Sequence, residues 1–339
     1  MAEPSGPLHR LGAAFLSHSR FLGVVGLVVA LYVALMASNP YAMTLSNHQI
    51  LANRLGFYGV LTFGVGLLII SGGIDLSIGS VVGLSAVGFA CLLRAGVGPY
   101  LSILLVLAGS AVIGLVNGLL ITGLRLQPFL VTLCGLFAYR GLARQLSGKS
   151  IGLSDAAPSL QPEVYRLREL VADPAALGGL PGQLLIMLAV AALFALIMHA
   201  SVYGRYLYAI GHNEQAARYA GIPVNRYKVF AYVWCSVLAG GLGGILEMLE
   251  VETATPSNVG TLYELYAITG AVLGGCTLSG GEGNVVGILF GTAVLPLLRS
   301  NILFWRIPNE AEYTIIGVAL LLGTIADELF KRRARRRGV

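Results

Sequence analysis

Within residues 55–93 the only carboxylate or strong base is Asp75, set in "LIISGGIDLSIGS" at residues 68–80, behind Gly72 and Gly73 and ahead of an apolar run. A carboxylate in that company has three uses: capping a helix that restarts after a break, making a gating contact, or carrying a proton or sodium ion across. At the centre of a span it costs ~2.5–3.5 kcal/mol on the insertion scale, whereas an N-cap returns only ~1 kcal/mol. Asp75 is therefore expected at a boundary or in a protein-lined, watered cleft, where the amides of Ser77 and Ile78 meet it and the glycine pair lets the chain turn. A cap at a broken helix is the leading expectation.

Two other stretches suggest nucleotide chemistry and fail on context. "ARQLSGKS", residues 143–150, fits a relaxed phosphate-loop pattern, but such a loop must follow a buried strand and open a helix, and here "IGLSDAAPS" follows. "LSGGE", residues 278–282, looks like an ATPase signature, yet the next segment, "NVVGILFGTAVLPLL", contains no acid to hold metal or act as base. "LSGGEGN" reads instead as an inter-span turn in which Gly280, Gly281 and Gly283 give backbone freedom and Asn284 caps the following helix.

Cys91, Cys134, Cys235 and Cys276 are scattered through apolar segments without the paired spacing of zinc or redox sites, so they are expected to pack. The histidines lie at span ends, in loops or in the N-terminal tail, which leaves no catalytic constellation, and the chain is not expected to be an enzyme. Ser77, Ser80, Asn117 and Thr132 are polar groups inside spans, suited to hydrogen-bonding the hydroxyls of a neutral solute, or to bonding a carbonyl one turn back. No acid–base pair is evident within the spans.

The elements that must hold these groups follow from composition. The chain has 339 residues, 56% of them hydrophobic and 11% charged, with a mean hydropathy of +0.79; it has too few polar side chains to coat a soluble globule of that size. Spans are expected at 21–38, 55–71, 76–93, 100–122, 128–139, 183–200, 229–249, 265–279, 285–304 and 313–327, an all-α membrane bundle of about ten helices. They form a single domain over 1–339. Its non-spanning parts are an N-terminal tail (1–20), a Pro-interrupted loop (141–182), a polar connection (201–228) and a tail (328–339).

The net charge of +6 owes much to Lys331, Arg332, Arg333, Arg335, Arg336 and Arg337. Such a flank belongs on the cytoplasmic side and argues against nucleic acid. Both termini are then cytoplasmic, 141–182 external, and Glu247, Glu250, Glu252 and Glu264 sit on the outer rim, where a basic partner could meet them. The Ser-Gly-Gly stretches near 71 and 279, each with an acid and then "VVG", leave a duplicated half open.

The connection between the sixth and seventh spans contains "GHNEQAARYAGI", residues 211–222. Asn213 suits an N-cap, Glu214 the first helical turn, and Gly221 with Pro223 a stop. A helix of about two turns is unstable alone in water and must pack on something; Ala216, Ala217 and Ala220 permit close approach.

This segment resembles the Glu-Ala-Ala…Gly stretch by which permeases of ATP-binding-cassette (ABC) importers dock into their ATPases. The match lies at Glu214, Ala216, Ala217 and Gly221, with Gly211 and Asn213 just ahead and Gln215 intervening. Together with "SGGIDLSIGS" (71–80) and "GAVLGGCTLSGGEGNVVG" (270–287), it makes the chain similar, from about residue 52 to 326, to the ribose-type branch of the branched-chain amino acid and sugar permease family.

The resemblance implies a type II importer-like permease bundle in a bacterial inner membrane, translocating a ribose-like monosaccharide delivered by a binding protein. It implies three kinds of partner: a second permease copy or paralogue, an ABC ATPase and a sugar-binding protein. No cofactor would be held by this chain, ATP and Mg being used by the ATPase. Import of a branched-chain amino acid or nucleoside by the same kind of complex, and ion-coupled secondary transport through Asp75, are the alternatives.

Overall fold

The computed structural model describes residues 7–38, 40–173, 177–308, 311, 313–318 and 321. Thirteen α-helices stand among the described residues. The first seven are α1 (Pro7–Ser38), α2 (Leu45–Ile70), α3 (Ile78–Arg94), α4 (Pro99–Gly123), α5 (Pro128–Leu146), α6 (Gln161–Ala172) and α7 (Gly182–Ala195). They are followed by α8 (Val202–His212), α9 (Glu214–Tyr219), α10 (Val224–Cys235), α11 (Gly243–Val251), α12 (Tyr263–Leu273) and α13 (Val285–Phe304). The one ladder among the described residues pairs β1 (Ile151–Gly152) antiparallel with β2 (Thr253–Ala254).

The expected all-α membrane fold is present. Five stretches are long and apolar enough to cross a bilayer: Leu45–Ile70, Pro99–Gly123, Gly182–Ala200, Val224–Val251 and Val285–Phe304. The third and fourth are continuous because wider, π-type turns at Leu196–Ala200 and Ser236–Leu242 extend α7 and join α10 to α11. Shorter apolar helices cover Leu22–Ala37 and Ile78–Arg94. The tenth expected span is described only at 313–318 and 321, and the basic tail lies outside the described residues.

α2 is the axis of the bundle: α7, α10, α12 and α13 all pack on it, and 89% of its most apolar window is buried. Its glycines make this geometry. Gly56 faces the Gln183 backbone, Gly59 faces Met187, and a methyl on Gly64 would lie 2.8 Å from the Ala239 nitrogen. α4, by contrast, has only 28% of its window buried and packs chiefly on α10, leaving a broad apolar face outward.

Several boundaries differ from the hydropathy reading: α1 already begins at Pro7 rather than at 21, and α10 at Val224 rather than at 229. α2 starts at Leu45, ten residues before the apolar run, because Thr44 caps it by accepting the Asn47 N–H at 3.3 Å. α5 runs on to Leu146, into the stretch assigned to a loop from 141. α12 ends at Leu273 rather than continuing to 279, since Gly275 takes a left-handed conformation (φ +95°).

The chain before α12 also turns inward. β2 packs beside α3, and then Val259 and Gly260 lie against Gly79 and Gly83, in the opening turns of that same helix. Residues 255–262 thus run back along α3 from the end to which the ladder is attached. α12 begins inside the protein, and its 11 residues span only about 16 Å at 1.5 Å per residue, half a bilayer core.

Candidate functional site

Asp75 is completely buried. Its Oδ1 accepts the Ser77 N–H at 2.8 Å and the Ser77 hydroxyl at 2.6 Å, so the acid closes the turn that opens α3. The second donor is this hydroxyl rather than the Ile78 amide. From Ser77 the network continues: Asn117 Nδ2 reaches the Ser77 hydroxyl at 3.4 Å, and the Tyr139 hydroxyl donates to Asn117 Oδ1 at 2.7 Å. Asp75 Oδ2 and the Ser80 hydroxyl find no hydrogen-bond partner among the described residues.

Ser77, Ser80, Asn117 and Thr132 are all buried, and Thr132 bonds the Pro128 carbonyl one turn back at 2.9 Å. The structure therefore joins Asp75, Ser77 and Asn117 into one sealed network. Tyr139, which sequence reasoning passed over, completes it.

Around this network three glycine stretches distant in sequence touch backbone to backbone. The Gly281 N–H donates to the Ile70 carbonyl at 2.9 Å, closing the end of α2 onto the second Ser-Gly-Gly turn. A methyl on Gly280 would stand 2.8 Å from the Gly72 nitrogen and 2.9 Å from the Gly211 Cα, and one on Gly281 would stand 2.8 Å from the His212 nitrogen. Gly72, Gly280 and Gly281 all have positive φ, so the turns require glycine for their conformation as well as for closeness. Tyr208 of α8 donates to the Gly283 carbonyl at 2.6 Å, and Tyr232 of α10 to the Ile74 carbonyl at 3.2 Å. Gly72, Gly211, Gly280 and Gly281 form a junction in which α8 holds both helix breaks; Gly73 completes the first turn.

α9 leaves that junction after a single residue. Asn213 caps it by accepting the Ala216 N–H at 3.0 Å, and Gly221 turns the chain out with φ +81°. Ala217 is buried against Ile210 and Val224, while Ala216, Ala220 and Tyr219 are exposed, Tyr219 at 91%.

Glu214 pairs with Arg218 at 2.7 Å and with Lys228. Arg218 also bonds Asn225, which reaches the Thr122 carbonyl. Burial raises the Glu214 carboxyl, but the Lys228 and Arg218 hydrogen bonds outweigh it and hold the group below its ordinary value of 4.5. The acid fastens α9 to α10, so replacing it by Lys would set a third cation against Lys228 and Arg218 rather than leave the fold untouched.

The other half of the molecule holds charges that the sequence did not reveal as a group. Glu264, expected on a solvated rim, is only 8% exposed. Its carboxylate lies against Gly79, where an added methyl would collide with it, so it sits between the starts of α3 and α12. Arg140 donates to the Val259 carbonyl and stands near Glu264. Arg299 of α13 donates to the hydroxyls of Tyr58 and Tyr266, the latter at 3.2 Å, and Glu247 of α11 accepts from Tyr263 at 2.9 Å. An arginine in "LLRSNILF" was the available signal: a charge in an apolar helix is expensive and needs a reason.

These parts, a break after α2, a short helix after α8 and a second break before α13, all fall within one stretch that a family model covers. The model of the branched-chain amino acid transport system permease component matches residues 47–323. The chain belongs to this permease family.

The permease is 32% identical over 307 residues to the ribose import permease protein RbsC of Bacillus subtilis (strain 168), covering 91% of each chain. It is 32% identical to RbsC of Escherichia coli (strain K12), covering 85% of this permease and 88% of that one. The autoinducer 2 import system permease protein LsrD of Escherichia coli (strain K12 / DH10B) is 30% identical over 92% of this permease and 93% of its own length. No solved structure matches the permease significantly. With its apolar spans, it is a multi-pass membrane protein.

Proposed function

We propose that this permease is the membrane subunit of an ATP-driven importer, taking up a ribose-like monosaccharide delivered by an external binding protein. One observation carries the reading. α9, too short to stand alone, follows directly from the junction where α8 grips both helix breaks. A push on α9 from an ATPase would reach α2, α3 and the turn before α13 through backbone contacts, with no soft side chain between. Coupling is then a two-state equilibrium biased from α9 and from the opposite mouth.

In this reading Gln215, Ala216, Tyr219 and Ala220 form the docking face, while Glu214, Ala217 and Gly221 shape and seat it. α9 and both termini are cytoplasmic, and the α6 side is external. The working unit holds two permease chains, alike or paralogous, with ABC ATPases, which bind the ATP and Mg; this chain holds no cofactor. The bilayer is that of a bacterial inner membrane. The sugar assignment is supported by relatives named for ribose and autoinducer 2 import. Reconstitution with the neighbouring ATPase and binding protein tests all of this: uptake is expected to require ATP hydrolysis. Uptake by this chain alone, driven by an ion gradient, would overturn it.

A further inference from the structure

In the half of the molecule away from α9 lies a cavity of about 430 Å³, lined by Glu247, Asn258, Thr261, Tyr263, Tyr266 and Arg299. That is within the ~300–1,000 Å³ range of small-molecule sites. The inward-running loop forms part of its wall, together with the first turn of α12, a half-length helix whose N-terminal end carries partial positive charge.

Its charged groups are held in fixed orientations. Arg299 lies over the Tyr266 ring at 4.8 Å and the Tyr58 ring at 5.7 Å while bonding both hydroxyls, and Glu247 is tied to the Tyr263 hydroxyl. Leu262, beside the wall, is a non-glycine residue at φ +66°. An arginine and a glutamate thus face one hollow from two apolar helices, an expensive arrangement within a bilayer.

We propose that this cavity binds the transported solute, and that the solute is a neutral polyhydroxylated molecule of monosaccharide size. Arg299 donates to its hydroxyls, Glu247 accepts from them, and the rings of Tyr263 and Tyr266 cover its C–H face. The class follows from the lining. Val259 supplies the one aliphatic side chain among the described wall residues, so a branched apolar side chain finds little to cover it, and an anion meets Glu247. A polyol uses donors and acceptors together. The wall is also tied to the rest of the machine, because Val259 is bonded by Arg140 and Gly260 packs on the opening turns of α3, the helix that Asp75 starts. This inference rests on the sugar-importer reading and names where that reading's substrate sits.

The test uses the full chain in lipid nanodiscs, with Cys91→Ser and Cys134→Ser removing the thiols that are not buried. Asn258→Cys then places a thiol in the wall for a membrane-impermeant maleimide. At about ten times Kd, D-ribose or another neutral pentose or hexose is expected to slow labelling roughly tenfold. L-leucine should not, and a Tyr219→Cys control on α9 should label at one rate throughout. Arg299→Gln and Glu247→Gln should each abolish protection while the buried Cys235 and Cys276 stay unlabelled, which reports an intact fold.

If one of these variants exposes the buried thiols, the other decides. No protection by any sugar at concentrations on the order of 100 mM, equal protection by L-leucine, or full protection retained in a folded Arg299→Gln would each overturn the proposal. Labelling needs neither ATP nor ATPase, so it separates the two ideas. An ion-driven sugar carrier would still show protection, whereas an ATP-driven importer with its site elsewhere would transport without it.

Discussion

The two Ser-Gly-Gly turns look alike in sequence and meet in space, yet they are finished differently. After the first, Asp75 is fully enclosed and satisfies the backbone and hydroxyl of Ser77. After the second, Glu282 is exposed, and the capping falls to Asn284, whose side chain accepts the Gly287 N–H at 2.7 Å. The acid is therefore not the shared element. What the turns share is glycine backbone lying against the other turn and against Gly211, at Gly72 in the first and at Gly280 and Gly281 in the second. The likeness in sequence is a likeness of close approach, and the charge of Asp75 serves the first turn alone.

That contrast can be broken most forcefully at Gly280. Gly280→Ala should cost ~1–2 kcal/mol for the left-handed backbone and ~1–3 kcal/mol more for overpacking against Gly72 and Gly211. Gly275→Ala, at φ +95° with open space around it, should cost only the first part. Thermal unfolding in detergent compares them, and equal losses would show that turn geometry rather than the junction matters.

At the first turn, Asp75→Leu should lose ~1–3 kcal/mol for each donor of Ser77 left unpaired. Asp75→Asn keeps the Oδ1 acceptor and should remain folded and active in ATP-driven uptake. A folded but inactive Asp75→Asn would return the acid to ion coupling. At the second turn, Asn284→Ala should cost ~1 kcal/mol as a lost cap, and Glu282→Gln should stay within about 0.5 kcal/mol of wild type.

The smallest effect concerns Glu214. Its folded value lies below 4.5, so the stabilisation from its ion pairs is present above the unfolded value and is lost as pH falls through the folded one. The melting difference between wild type and Glu214→Gln should be level from ~pH 5 to 8 and close only in acid. A difference that closes near neutrality would contradict the pairing.

The sequence exposed what hydropathy and turn chemistry can express. Nine expected spans fall on helices, because apolar runs of that length leave few alternatives, and the Asp75 break and the Asn213 cap were legible from local residue types. The inward course of residues 255–262 was not, since a polar stretch reads the same whether it stays outside or folds back along α3. Glu264 was consequently assigned to a rim. The network through Tyr139, the Tyr208 bond to Gly283 and the gathering around Arg299 join residues far apart in the chain, which periodicity does not report. The glycine junction was half visible: the motifs were plain, their mutual contact was not.

The brevity of α12 bears on how the chain is made. A segment of 11 residues is too short to be recognised and released into the bilayer as a span by its own apolarity, which takes ~20 residues. Its second residue, Glu264, lies against Gly79 in the first turn of α3. α3 emerges from the ribosome long before α12 and must already be seated to receive it. Membrane integration of this chain is then ordered in time, with the last third settling onto a template laid down by the first.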